Sequence, residues 1–115
     1  MQLCIVMDFA ADGTLQKVIS LRRRLNKPFD EHTIWKNLFH VCSAIACAHE
    51  SKIIHRDIKP VNILIHKGVL KLCDFGISKS LEFSSKAYTN TWSNIDYFSP
   101  EMILGGGYSY PIDVW

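Results

Sequence analysis

Within eight residues the chain sets His55, Arg56, Asp57, Lys59 and Asn62, and twelve residues beyond Asn62 come Asp74, Phe75 and Gly76. Asn62 and Asp74 are hard oxygen donors suited to Mg²⁺, which takes few protein ligands and otherwise keeps waters and phosphates. Asp57 can orient or accept the proton of a hydroxyl. Lys59, two residues on, points to the same side of an extended segment as Asp57 and can meet the charge of a transferring phosphate. Phosphoryl transfer asks for little more than this: positioned metals, neutralised phosphate charge and an oriented nucleophile. Taken singly, each acid reads better as a turn former, Asp57 in a loop and Asp74 opening a turn before Gly76. The ordered set does not.

Residues 3–7 are a short apolar run rich in β-formers and predict a buried strand. Asp12-Gly13 then signals a turn, and residues 14–25 carry Leu15, Val18, Ile19 and Leu25 on one side, which predicts a short amphipathic helix. Its arginines, 22–24, read as a solvated face, with a basic docking patch as the alternative. Asp30 is a suitable N-cap for a second helix. There Ile34, Leu38, Val41, Ile45 and Ala48 recur at steps of four and three, widened by Trp35, Phe39 and Cys42 into a well-buried stripe. Short β-like runs follow at 53–54, 63–65 and 69–72, and Lys67-Gly68 reads as a hairpin turn between the last two. From residue 78 to 110 the chain turns polar and predicts a long functional loop.

The 115 residues are 48% hydrophobic and 21% charged, which fits a soluble globular domain and not a disordered tail. Thirteen basic against eleven acidic residues give a net charge of +2, too balanced for a nucleic-acid binder or a polybasic membrane anchor. The longest uncharged apolar run, residues 41–48, is far short of the ~20 residues that span a bilayer. No basic stretch opens the chain, so no signal peptide is expected. Cys4, Cys42, Cys47 and Cys73 form no C-x-x-C pair and predict buried free thiols in a reducing, cytoplasmic or nuclear compartment.

His55-Arg56-Asp57-Ile58-Lys59-Pro60-Val61-Asn62, Asp74-Phe75-Gly76 and Ser99-Pro100-Glu101 resemble the catalytic loop, magnesium loop and activation-segment end of a eukaryotic protein kinase. With residue frequencies of about one in twenty, chance agreement at eight such positions is on the order of one in 10¹⁰. The resemblance implies an α+β, protein-kinase-like fold, here in part. Residues 1–115 would supply the hinge strand, two C-lobe helices, the β-hairpins of the catalytic and magnesium loops, and the activation segment. It further implies Asp57 as catalytic base, Asn62 and Asp74 as metal ligands, and Lys59 as a catalytic residue of the serine/threonine class. ATP and Mg²⁺ are the cofactors implied and a protein Ser/Thr hydroxyl the substrate, with neither nucleic acid nor membrane as partner. Met7 would fall at the gatekeeper position, Asp8 to Ala10 at the hinge that meets adenine, and Leu64 on the floor of the adenine pocket. His55, Phe75, Gly76, Glu101 and Asp113 would be structural, Asp113 supporting the catalytic-loop backbone. Ile-Val-Met-Asp-Phe, His-Arg-Asp-Ile-Lys-Pro, Asp-Phe-Gly-Ile-Ser-Lys and Tyr-Phe-Ser-Pro-Glu are similar to the NIMA-related group.

Two departures stand out. The Gly-rich phosphate loop, the strand lysine, its helix glutamate and most C-lobe helices of the family have no counterpart in these residues, so the 115-residue chain alone is expected to be inactive. Ser93 and Asn94 replace a Gly-Thr whose threonine normally bonds near the catalytic Asp and Lys; Asn can donate and accept, but with different reach. A kinase-like interaction module without phosphotransfer is the competing reading, and a generic metal-binding regulatory domain explains the acids but not their order. Arg56, beside Asp57, implies activation by phosphorylation, since a phosphate can pair bidentately with a guanidinium and order the segment. The candidate acceptors are Ser84, Ser85, Thr89, Thr91 and Ser93, with Thr89 and Thr91 first.

Overall fold

The computed structural model describes residues 4, 6–75, 79–80, 92–105, 107 and 109–115, with the side chains of 79–80 and 92–94 outside that description. Helix α1 (Leu15–Arg24) starts where the Thr14 hydroxyl accepts the Lys17 amide at 3.3 Å, and its last turn carries Arg22, Arg23 and Arg24, favourably placed against the C-terminal end of the helix dipole. The arginines are not all solvated. Arg22 donates to the Pro28 carbonyl at 3.0 Å and lies 4.4 Å over the Phe29 ring, fixing the turn into the next helix.

Helix α2 (Glu31–Glu50) opens on Asp30, whose two carboxylate oxygens accept the Thr33 amide at 2.9 Å and the Thr33 hydroxyl at 2.7 Å. The hydroxyl bond first, and the amide bond second, hold the Asp30 carboxyl below the usual carboxylate range. The expected stripe exists, but it is not well buried: Ala48 alone on this helix is buried, and Trp35 and Phe39 are 61% and 69% exposed. A stripe wider than one neighbour can cover leaves its flanks in water, and here α2 packs chiefly on β3 and β1.

After α2 come β1 (Ile53–Ile54), a 3₁₀ turn (Pro60–Asn62), β2 (Ile63–His66) and β3 (Val69–Leu72). β2 and β3 form an antiparallel hairpin with Ile63 opposite Leu72 and His66 opposite Val69. Lys67 and Gly68 both have positive φ, 50° and 72°, which is the two-residue turn whose twist matches the strands. Asp12 ties the segment before α1 to this hairpin: its carboxylate accepts the Lys67 amide at 2.8 Å, and its own amide donates to the Ile65 carbonyl. β1 pairs with β4 (Lys79–Ser80), antiparallel. Ala48, Ile54, Ile63, Leu70 and Ile112 form a small core between α2 and the two sheets.

Three expectations are corrected. The described residues before α1 form no strand, and Val6 and Met7 are 96% and 65% exposed; no described strand pairs with them, and an unpaired strand has no ladder to satisfy its backbone. The polar region is not all loop: it contains β4, a 3₁₀ helix (Trp92–Tyr97) and α3 (Pro100–Ile103), followed by a 3₁₀ turn (Tyr110–Asp113). The four cysteines are free, but Cys4, Cys42 and Cys47 are exposed and only Cys73 is half-buried. Among the described residues no helix is long and apolar enough to cross a membrane.

Candidate active site

The segment from β1 to β2 is held by one buried carboxylate. Asp113 accepts the Arg56 amide on Oδ1 and the His55 amide on Oδ2, each at 2.8 Å, from a sequence distance of more than fifty residues. Arg56 takes a φ of 69°, left-handed backbone that a branched-off side chain disfavours, and these two bonds fix it there. His55 is 1% exposed. The Asp57 amide donates to its Nδ1 at 3.2 Å, so Nδ1 is the acceptor and Nε2 bears the proton, which it donates to the Cys73 carbonyl at 3.0 Å. The His55 ring also meets Phe75 edge-on at 4.6 Å. One imidazole thus connects the loop containing Asp57 to both flanks of Asp74.

Asp57, Lys59 and Asn62 come together as their spacing suggests. Lys59 Nζ lies 2.8 Å from Asp57 Oδ2, with the two side chains 12% and 10% exposed. Asn62, itself buried, donates through Nδ2 to the Asp57 carbonyl at 2.9 Å and to Asp57 Oδ2 at 2.8 Å. Both partners are acceptors, so the amide nitrogen must face them, and Oδ1 is the atom of Asn62 left with lone pairs to offer. The Asn62 carbonyl in turn accepts the Cys73 amide at 3.0 Å and the Cys73 thiol at 3.3 Å, which draws the strand leading to Asp74 against the loop. Burial, and then the neighbouring Asp74 carboxylate, push the Cys73 thiol up. Asp74 is exposed and has a φ of 63°. The described residues hold no cluster of three His, Cys, Asp or Glu able to bind a metal ion. An amide oxygen and a carboxylate are the donor set that Asn62 and Asp74 supply, and by their chemistry they fit Mg²⁺.

Asp74 and Phe75 line a cavity of about 560 Å³ together with Met7, Asp8, Phe9, Ala10, Leu64, His66, Lys71, Leu72 and Cys73. The volume is that of a small-molecule pocket, and the lining is mostly apolar, with the carboxylates of Asp8 and Asp74 among it. Met7, Asp8, Ala10 and Leu64, far apart in sequence, therefore share one pocket with Asp74. Asp8 reaches Lys71 across 3.6 Å, an exposed pair of little energetic weight.

Glu101 lies half-buried in the first turn of α3, next to the fully buried Ser99. Gly76, Ser84, Ser85, Thr89 and Thr91 lie outside the described residues, and Ser93 and Asn94 are described only as backbone of the 3₁₀ helix. Sequence reasoning missed His49, whose Nε2 lies 2.8 Å from Asp113 Oδ2. Its signal was available: it falls four residues after Ile45, on the α2 stripe, where a polar group needs a partner.

The protein kinase domain model matches residues 1–115. The chain belongs to the protein kinase family. It is 42% identical over 115 residues to the MAP kinase kinase skh1/pek1 of Schizosaccharomyces pombe, covering 99% of this chain and 31% of that protein. Against the serine/threonine-protein kinase Nek8 of Danio rerio identity is 40% over 115 residues, 98% of this chain and 16% of the relative. Against nekl-2 of Caenorhabditis elegans, a serine/threonine-protein kinase, it is 39% over 121 residues, 99% and 34%. The kinase chain thus spans about a third or less of the length of these relatives. Identities of 42% and 40% do not separate MAP kinase kinases from the NIMA-related group.

Proposed function

We propose that these residues form the catalytic centre of an ATP- and Mg²⁺-dependent protein serine/threonine kinase, which moves the γ-phosphoryl group of ATP to a Ser or Thr hydroxyl. The observation that carries this reading is the nearly buried Asp57–Lys59–Asn62 constellation, tied through His55 and Cys73 to the pocket that Asp74 lines. Relatives named as serine/threonine kinases, and named as such at the level of class and not of one subgroup, support it.

In this reading Met7, Asp8, Ala10 and Leu64 receive the adenine. Asn62 through Oδ1 and Asp74 through its carboxylate would hold Mg²⁺, which when bound neutralises phosphate charge. The Asp57 carboxylate, oriented by Asn62, holds the substrate hydroxyl by its proton and directs the oxygen lone pair at phosphorus. Lys59 answers the charge that builds on the transferring group, in a setting of low exposure where one cation counts for more than in water.

The test needs a polypeptide of full kinase-domain length carrying these residues. Asp57→Asn should lower kcat by at least about a hundredfold while nucleotide binding, followed by calorimetry, stays nearly unchanged. Asp74→Asn should weaken Mg·ATP binding itself. Near-wild-type turnover of Asp57→Asn would refute the assignment.

A further inference from the structure

We infer that the outer face of α1, with the turn that follows it, docks an acidic segment of a partner protein; that this partner is the protein substrate rests on the kinase reading above. Residues 13–29 hold Lys17, Arg22, Arg23, Arg24 and Lys27, five of the thirteen basic residues, and none of the eleven acidic ones. Arg22 is engaged within the fold, on the Pro28 carbonyl and the Phe29 ring. Lys17, Arg23, Arg24 and Lys27 are exposed, and among the described residues no carboxylate pairs with them. The flanking acids are turned elsewhere: Asp12 accepts the Lys67 amide, and both oxygens of Asp30 accept from Thr33.

The needs of the helix do not explain this charge. Its end is closed by backbone: the amide of Asn26, whose φ is 51°, donates to the Arg23 carbonyl, and the Lys27 amide donates to that of Arg22. The dipole favours a cation in the last turn, and Arg22 supplies one. By the same rule the first turn favours an acid, yet it contains none and carries Lys17 instead. Cations gathered on so short an element repel one another, so the arrangement costs stability unless an anion meets it.

Helical spacing brings the charges together. Lys17, Leu21 and Arg24 fall at i, i+4 and i+7 on one face of α1, with Arg23 beside them, and the reversal at Asn26 returns Lys27 to the same end. Lys17 and Arg24 stand about 10 Å apart along the axis, which about three residues of extended chain span. Leu21 and Leu25, 45% and 53% exposed, lie among them and suit an apolar side chain between acidic ones. A short acidic peptide matches that mixture better than a nucleic acid or an anionic bilayer. Beyond residues 13–29 the chain carries eleven acidic against eight basic residues, which repel a longer polyanion. Through its half-buried side, Leu15, Val18 and Ile19, α1 packs on the Pro60–Asn62 turn and β2. The docked segment thus stands one helix diameter, about 10 Å, from the catalytic loop, and raises substrate affinity without entering the chemistry.

The experiment uses a polypeptide of full kinase-domain length and two fluorescent peptides without a hydroxyl residue. One is a run of Asp, Glu and Leu, and the other has Asn and Gln in place of the acids. By anisotropy the acidic peptide should bind about tenfold or more tightly than the neutral one, a gap that narrows as salt rises. Arg23→Gln, Arg24→Gln and Lys27→Gln together should lower its affinity about tenfold. With the acidic run joined to a serine acceptor, this triple variant should raise KM for the peptide about tenfold and leave kcat and KM for ATP within about twofold. Equal binding of the two peptides, or unchanged affinity in the triple variant, overturns the inference. So does a single-stranded oligonucleotide or a phosphatidylserine vesicle held through the same residues more tightly than the peptide. Should the triple variant fail to fold, the unmodified protein decides: an acidic peptide bearing a photo-crosslinker is expected to label residues 17–27, and labelling elsewhere overturns the inference. If the unmodified polypeptide transfers no phosphate, the proposed function falls, while anisotropy still judges the α1 surface.

Discussion

Asn62 shows how much one side chain can settle at a site. Both hydrogens of its amide go to Asp57 and its main-chain carbonyl takes both the amide and the thiol of Cys73, so a single residue joins the loop at 55–62 to the strand that ends in Asp74. Cys73 pays out a consequence that is easy to measure. Its thiol is half-buried, committed to the Asn62 carbonyl, and pushed up by burial and by Asp74, so at neutral pH it holds less thiolate than an ordinary cysteine. Although Cys73 lines the pocket, iodoacetamide should modify it about tenfold or more slowly than the exposed Cys42 and Cys47, as followed by peptide mass spectrometry. Equal rates would mean that the Cys73–Asn62 contact is open in solution. The grouping of Asp57, Lys59 and Asn62 was legible in the sequence because it depends on residue type and close spacing. The position of His49 on the α2 stripe showed that it needs a partner, but not which one, because Asp113 lies 64 residues away and no local pattern announces a contact of that range.

At the scale of elements, signals confined to one element were read well and signals needing a partner were not. Asp30 caps the helix that begins beside it, and Lys67-Gly68 turns the hairpin, because each depends on neighbours within three or four residues. The run at 3–7 has strand composition, yet composition alone supplies no neighbouring ladder, and Val6 and Met7 stand exposed. The Asp30 cap also sets a pH dependence. Its carboxyl is held below its ordinary value in the folded chain, chiefly by the Thr33 hydroxyl, so the unfolded chain binds the proton more readily. The contribution of the cap is therefore complete above the ordinary carboxylate range and is lost as pH falls through the depressed value of Asp30. Asp30→Ala should lower the thermal midpoint at neutral pH and flatten its dependence on pH over the acidic range, read by circular dichroism at 222 nm. A variant whose midpoint tracks the parent at every pH would show that the cap contributes nothing.

At the scale of the whole molecule, the balance of core against exposed apolar surface governs behaviour. The buried apolar set is five residues, Ala48, Ile54, Ile63, Leu70 and Ile112, whereas Ile34, Trp35, Leu38 and Phe39 stand 52%, 61%, 48% and 69% exposed among the described residues. These four lie at i, i+1, i+4 and i+5 of α2 and so form one continuous face of a single rigid element. A contiguous apolar face of this kind drives association in water. The 115 residues in isolation should therefore sediment as concentration-dependent oligomers, bind a hydrophobic dye and melt over a broad range. Trp35→Lys together with Phe39→Lys should shift the sedimentation toward monomer without reducing helix content, since both side chains project from an exposed face and lysine is a good helix former. A sharp melt and a monomeric profile for the unaltered chain would show instead that the face is covered from within, by residues outside those described.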